Sequence, residues 1–105
     1  MLRLDWTRDV QPARIVAVGQ VDGHVVISLV AAARRVAPDS GGAIVVDLSS
    51  VTFFEGAAAR ALLDLRSELA RSGTKLRLEN VPYCVARAFD FVGVPTMVPR
   101  DQRLD

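Results

Sequence analysis

The sequence predicts an α/β layer structure, a mixed β-sheet with helices packed on it, its elements running β-β-α-β-α-β-α. Three observations predict it. Strand-like segments stand at residues 2–7 and 13–21, strand and helix patterns alternate from residue 23 onward, and residues 43–73 join an apolar run, a short turn and a long amphipathic helix. That last turn is the expected site. A helix start beyond a buried strand presents unpaired N–H groups and a partial positive charge, and this one reads Glu55-Gly56-Ala57-Ala58.

Each element has its own signal. Leu2, Leu4 and Trp6 alternate with Arg3, Asp5 and Thr7, the period of an edge strand with one buried face, and Gln11-Pro12 breaks it. Residues 13–21, ARIVAVGQV, are rich in Val and Ile and lead into an Asp22-Gly23 turn; they read as a second strand, pairing with the first as a hairpin. Residues 23–37 carry both strand formers and helix formers, and length decides for helix. Asp22 is placed to cap it, Arg34 and Arg35 suit its C-terminal dipole, and Pro38 closes it. Val26, Ile27, Val30 and Ala33 then share its apolar face.

After Ser40-Gly41-Gly42, the run from Ala43 to Val46 leads into Asp47 and Leu48, as expected for a central strand covered on both faces. From Ala57 the helix sets Ala58, Ala61, Leu62, Leu65 and Leu69 on one side and Arg60, Asp64, Ser67 and Arg71 on the other. Arg66 at the edge of that arc and Leu63 beyond it read as a snorkelling stem beside an exposed leucine, with partner contact the alternative. Ser72-Gly73 ends the helix, and residues 75–79 alternate as a strand, completing a crossover expected to be right-handed. Asn80-Val81-Pro82 opens a third helix with a stripe of Val85, Ala88, Phe89 and Val92 before Gly93. Met97 and Val98 suggest a short edge strand in the tail.

Composition narrows the function. The 105 residues suit one domain, residues 1–105, with a single core. A net charge of +1 and scattered Arg residues offer no field for nucleic acid. No apolar run reaches the length of a membrane span, the first ten residues lack a signal-peptide core, and Cys84 has no partner for a disulfide. A cytoplasmic protein is expected.

Catalytic chemistry has little to stand on. His24 and Cys84 are the sole residues of their types and neither has a recognisable catalytic partner, so both read as structural. No ligand cluster suits a metal, no cofactor is expected, and Ser40-Gly41-Gly42 precedes a strand where a phosphate loop would precede a helix. What remains is a polar group of Asp47, Ser49, Ser50, Thr52 and Glu55 around the helix start. Ser and Thr commonly bond to nearby backbone in turns, and an acid offsets the dipole. Phe53 and Phe54 argue for more, since at least one ring should anchor the turn in the core and make it rigid.

These residues resemble a known family. Gly19-Gln20-Val21-Asp22 looks like the G-E-L-D turn of STAS domains, the fold of bacterial anti-sigma-factor antagonists, and IVVDLSSVTFFEGAAARALL resembles their D-L-S-x-V-x-F-I-D-S-S-G turn and following helix. Phe91-Val92-Gly93-Val94 is similar to the L-x-G-L ending of their last helix. The resemblance implies a non-enzymatic, partner-switching protein that docks on an anti-sigma factor, often a serine kinase, and frees a sigma factor for transcription. In that pattern the second Ser of D-S-S-G receives a phosphate whose charge and bulk release the partner. Here Glu55, Gly56, Ala57 and Ala58 match those positions, and the acceptor position, Ala57, has no hydroxyl.

The expectation is therefore an antagonist or adaptor without phosphorylation control at residue 57. Its partner surface comprises Asp22, Ser49, Ser50, Thr52, Glu55, Gly56, Ala57, Ala58 and Arg60, with Glu55 the built-in negative charge at the helix start. An alternative from the same fold is a regulatory subunit of a larger assembly, such as a lipid ABC transporter or a stress-sensing complex. A third class, small-ligand or nucleotide binding at the helix start, rests on the dipole alone. A homodimer is left open.

Overall fold

The computed structural model describes residues 1–6 and 11–104, save the side chain of Thr96. In chain order these form β1 (Leu2–Trp6), β2 (Ala13–Val21), α1 (Val26–Val36), β3 (Ala43–Phe54), α2 (Gly56–Arg71), β4 (Lys75–Glu79), β5 (Val81–Pro82), α3 (Tyr83–Phe91) and β6 (Arg103–Leu104). Strands β1 to β4 lie in that order in one mixed sheet, with β1 antiparallel to β2 and the other pairs parallel. The expected α/β architecture, with its antiparallel first pair, is what forms. Thr7, expected on the outward face of the first strand, lies outside the described residues.

The core lies between the sheet and the helices. Ile15, Ala17, Ile44, Val46, Leu76 and Leu78 from alternate strand positions join Leu29, Leu62, Leu65, Val85 and Phe89 in one apolar cluster. Val45 is buried but lies outside that cluster, between Arg14 and Arg77 in register on the opposite face. So β3 is covered on both faces as expected, although the second cover is made by neighbouring side chains rather than by helices.

That second face is tied by charge. Arg14 donates to Asp47 Oδ2 at 2.7 Å and to Glu79 Oε1 at 2.8 Å, bridging two carboxylates that stand opposite each other across β3 and β4. Without the guanidinium this like-charge pair would repel. Asp47 also accepts from the Asn80 amide and from the Ser49 N–H and hydroxyl. Burial opposes ionisation of Asp47, but these hydrogen bonds outweigh it and hold the carboxyl below its ordinary range.

Four local expectations need correction. First, β3 does not stop near Leu48 but runs to Phe54, so the supposed turn at residues 49–54 is strand. Ten residue steps from Ile44 to Phe54 face eight from Ala13 to Val21, with register shifts between Val16 and Val18 and between Gly19 and Gln20. Each shift inserts a bulge that rotates the side chains. Buried Leu48, Val51 and Phe54 are thus three apart, with exposed pairs between them, and an alternating pattern is absent from the sequence here.

Second, α1 starts at Val26, after a turn. Asp22 caps that turn, its Oδ1 accepting from His24 N at 2.9 Å and Val25 N at 2.7 Å. Ile27, expected on the apolar face, is 61% exposed, while Leu29 is fully buried in its place. Third, Val81 and Pro82 form a short ladder with Arg103 and Leu104, so α3 begins at Tyr83. Met97 and Val98 are buried core residues beside a 3-10 turn instead of an edge strand. Fourth, Leu63 is half-buried and packs against the core, so no exposed leucine stands beside Arg66.

The helix ends follow expectation. At the end of α2, Thr74 N donates to Leu69 O and Gly73 N to Ala70 O, closing the last turn around Gly73 at φ +84°. A left-handed residue there favours glycine, which has no Cβ to clash.

Candidate functional site

Glu55 is the only residue between the end of β3 and the first turn of α2. Its backbone stays extended while its carbonyl accepts from Ala58 N and Ala59 N, so it stands in the N-cap position. Its N–H donates to Val21 O at 3.0 Å, which ties the helix start to the end of β2. Its carboxylate does not cap the helix. Oε1 accepts from Gly23 N at 2.8 Å, across to the turn that precedes α1.

The two connections are thereby locked together. A Cβ built on Gly23 would lie 2.8 Å from the Ala57 Cβ and 3.1 Å from Glu55 Oε1, so only glycine permits this approach. Beside it, the Asp22 carboxylate is held below its ordinary range by the N–H of Val25 first and of His24 second. Both acids of the site are committed to backbone donors of one turn. Glu55, expected as the built-in negative charge at the helix start, gives one carboxylate oxygen to Gly23 N rather than to the N–H groups of α2. Gly56 N and Ala57 N have no intramolecular acceptor among the described residues, as expected for the first turn of a helix.

The predicted site residues divide into four groups. Asp22, Glu55, Gly56 and Ala57 come together at the mouth formed by these turns, with Ala57 exposed. Ser49, Ser50 and Thr52 are exposed strand residues, of which Ser49 is bound to Asp47 and Thr52 donates to Gly19 O at 3.3 Å. Arg60 is exposed on α2. Ala58 is fully buried and is removed from the surface, because it faces the core one position after Ala57. Of the two rings, Phe54 is the anchor, buried with its centroid 5.9 Å from that of Phe89, and Phe53 is half exposed.

The family model described as Mlab, STAS domain matches residues 4–99. The chain belongs to the STAS domain family. No curated protein matches the sequence. Among solved structures, the anti-sigma factor antagonist SpoIIAA in its unphosphorylated form is similar at a TM-score of 0.73 and 17% identity, over 100% of this chain and 89% of that one. An anti-sigma factor antagonist from Mycobacterium paratuberculosis is similar at 0.72 and 21%, over 94% and 82%. The Bacillus cell fate determinant SpoIIAA in its phosphorylated form is similar at 0.66 and 15%, over 98% and 92%. At these identities the likeness establishes the fold.

In this STAS domain the surface around the α2 start also has apolar members that the sequence did not disclose. A Cβ on Gly56 would lie 3.7 Å from Val92 Cγ1 and 3.8 Å from Phe91 Cδ1, so the end of α3 flanks the helix start, and Phe91 is 87% exposed. On the other side a cleft of about 300 Å³ runs between α1 and α2, lined by Gly23, Ile27, Val30, Ala61, Asp64 and Glu68. Phe91 falls off the stripe of its short helix, which was the available signal. Gly23 follows Asp22 in a turn signal that shows the bend but not its neighbour.

His24 is exposed, and Cys84 is half-buried with Sγ 3.8 Å from Val51 O. Among the described residues no group of His, Cys, Asp and Glu could hold a metal ion, and no helix is long and apolar enough to cross a membrane.

Proposed function

We propose that this STAS domain is a non-catalytic interaction module that docks on an anti-sigma factor, or a related kinase-fold regulator, through the surface around the start of α2. It acts in the bacterial cytoplasm, and phosphorylation at residue 57 does not control it. The observation that carries the reading is the lock between Glu55 and Gly23, which fixes the start of α2, with its exposed Ala57, between exposed Phe91 against Gly56 and exposed Ile27 in the cleft beside Gly23. Rigid apolar anchors within a polar rim suit a protein partner. The role that the structural neighbours are named for, antagonism of anti-sigma factors, agrees with it.

Residue 57 explains the missing switch. A phosphate adds about −1.5 to −2 charge to a hydroxyl, and alanine offers none. The test is incubation with the cognate anti-sigma kinase and ATP. No phosphate should appear on the wild-type protein, whereas Ala57→Ser should become a substrate that dissociates when modified. Phosphate on Ser49, Ser50 or Thr52 of the wild type would sink the switch-less reading. Recovery of a transporter ATPase instead of an anti-sigma factor in a pull-down would move the protein to the regulatory-subunit class.

A further inference from the structure

Away from the α2 start, the sheet ends in a free edge. Among the described residues, strand β4 pairs with β3 alone. Lys75 N donates inward to Gly42 O at 2.9 Å, so Lys75, Arg77 and Glu79 turn their main-chain groups toward β3. The alternation of a strand then directs the N–H and C=O of Leu76 and Leu78 outward. Among the described residues these outward groups have no backbone partner.

A groove of about 670 Å³ follows this edge, lined by Arg66, Lys75, Arg77, Leu76, Leu78 and Met97 among others, and no acid among the described residues lines it. None of its three cations is paired with a carboxylate among the described residues, although the chain as a whole carries only +1. The opposite edge differs, since on β1 Arg3 is paired with Asp5 at 3.3 Å. Charged residues on a short edge strand discourage self-pairing. A second copy laid antiparallel about Arg77 would set the two Arg77 side chains against each other, and Lys75 against a Glu79 whose carboxylate is already held by Arg14. The same cations select an acidic occupant.

We propose that the β4 edge is a second docking surface, which takes an extended, acidic segment of a partner protein as a fifth strand. Main-chain bonds to Leu76 and Leu78 hold the segment. Its alternate side chains are read on two faces: carboxylates beside Lys75 and Arg77 on the open face, and apolar groups beside Leu76, Leu78 and Met97 on the helix face, with Arg66 at the rim. This is strand addition, in which backbone bonding supplies affinity and alternate side chains supply specificity. The proposal is independent of the surface at the start of α2.

The probe is a short, labelled synthetic peptide alternating Glu with Val, capped at both ends, titrated against the full chain and followed by anisotropy and by amide hydrogen exchange. Binding should saturate and weaken about tenfold or more from low to high salt. The Leu76 and Leu78 amides should gain protection. Lys75→Glu/Arg77→Glu should weaken binding by about tenfold or more through like-charge repulsion, and Arg77→Gln, which introduces no repulsion, should weaken it less while keeping the same melting curve. The idea is overturned if a Lys-Val peptide binds equally well, if the charge-reversed variant binds unchanged, or if protection appears at Gly56 and Ala57 instead. It is also overturned if the free protein dimerises with Leu76 and Leu78 already protected, which would make a second copy the occupant.

Discussion

Replacing Gly23 by alanine tests the lock at the α2 start most directly. The new Cβ lies 2.8 Å from the Ala57 Cβ and 3.1 Å from Glu55 Oε1. Carbon atoms rest at about 3.5–4.0 Å from each other, so the α1-side turn and the start of α2 must part by about 1 Å. Overpacking of this kind costs about 1–3 kcal/mol. Against it stands the restriction of the unfolded chain, which favours alanine by about 0.4–1 kcal/mol. That offset applies because Gly23, unlike Gly19 or Gly73, does not have a positive φ. The net expectation is a loss of about 1–2 kcal/mol, read as a lower urea midpoint at unchanged slope. Ala57→Gly removes the struck atom, so in that background Gly23→Ala should cost clearly less, a coupling the double-mutant cycle measures. An unchanged midpoint for Gly23→Ala, or an equal cost in both backgrounds, would refute the close approach.

Two further predictions concern stability and one concerns docking. Asp47→Asn should cost about 1.5–3 kcal/mol at neutral pH, the range for hydrogen bonds to a charged group, toward the lower end because Arg14 is partly solvated. The Asp47 carboxyl is depressed in the folded state, so its contribution is full above the ordinary carboxylate value and is lost as pH falls through the folded value; wild type should therefore lose more stability than the variant between about pH 5 and 3. Phe89→Ala, at a fully buried ring against Phe54, should cost about 3–5 kcal/mol in a denaturant melt. Phe91→Ala, two residues on and exposed, should change stability by less than about 0.5 kcal/mol, yet weaken capture of the proposed anti-sigma partner; full retention of capture would remove Phe91 from the proposed docking surface.

The architecture was legible because its signals are local and repeated. Leu76 and Leu78 alternate with Lys75, Arg77 and Glu79 in a strand without bulges, and Gly73 stops α2 where the pattern says it should. The site was less legible because it depends on contacts between distant segments. Two bulges give the end of β3 a three-residue spacing, which imitates neither strand nor helix, so residues 49–54 read as a turn. The roles of Glu55 and Gly23 depend on a bond between residues 32 apart, which no periodicity encodes. Ile27 and Leu29 are both apolar, and the rotation of α1 about its axis, which buries the face of Val26, Leu29 and Ala33, decides which one is buried.

The two surfaces have different physical characters and sit on different parts of α2. Gly56 opens the helix, while Arg66 faces the β4 groove ten residues later, about 15 Å along the axis at 1.5 Å per residue. The first surface offers exposed apolar groups, Phe91 and Ile27, around the start of α2, so its affinity should depend chiefly on apolar fit. The second has unpaired cations along an open strand, so its affinity should fall as salt rises. Between them α2 is fixed to the sheet by Leu62, Leu65 and Leu69, all buried. A helix held along that length gives neither partner an obvious means of displacing the other. On the two proposals together, occupation of one surface should leave the affinity of the other unchanged, which a titration of each in the presence of the other measures.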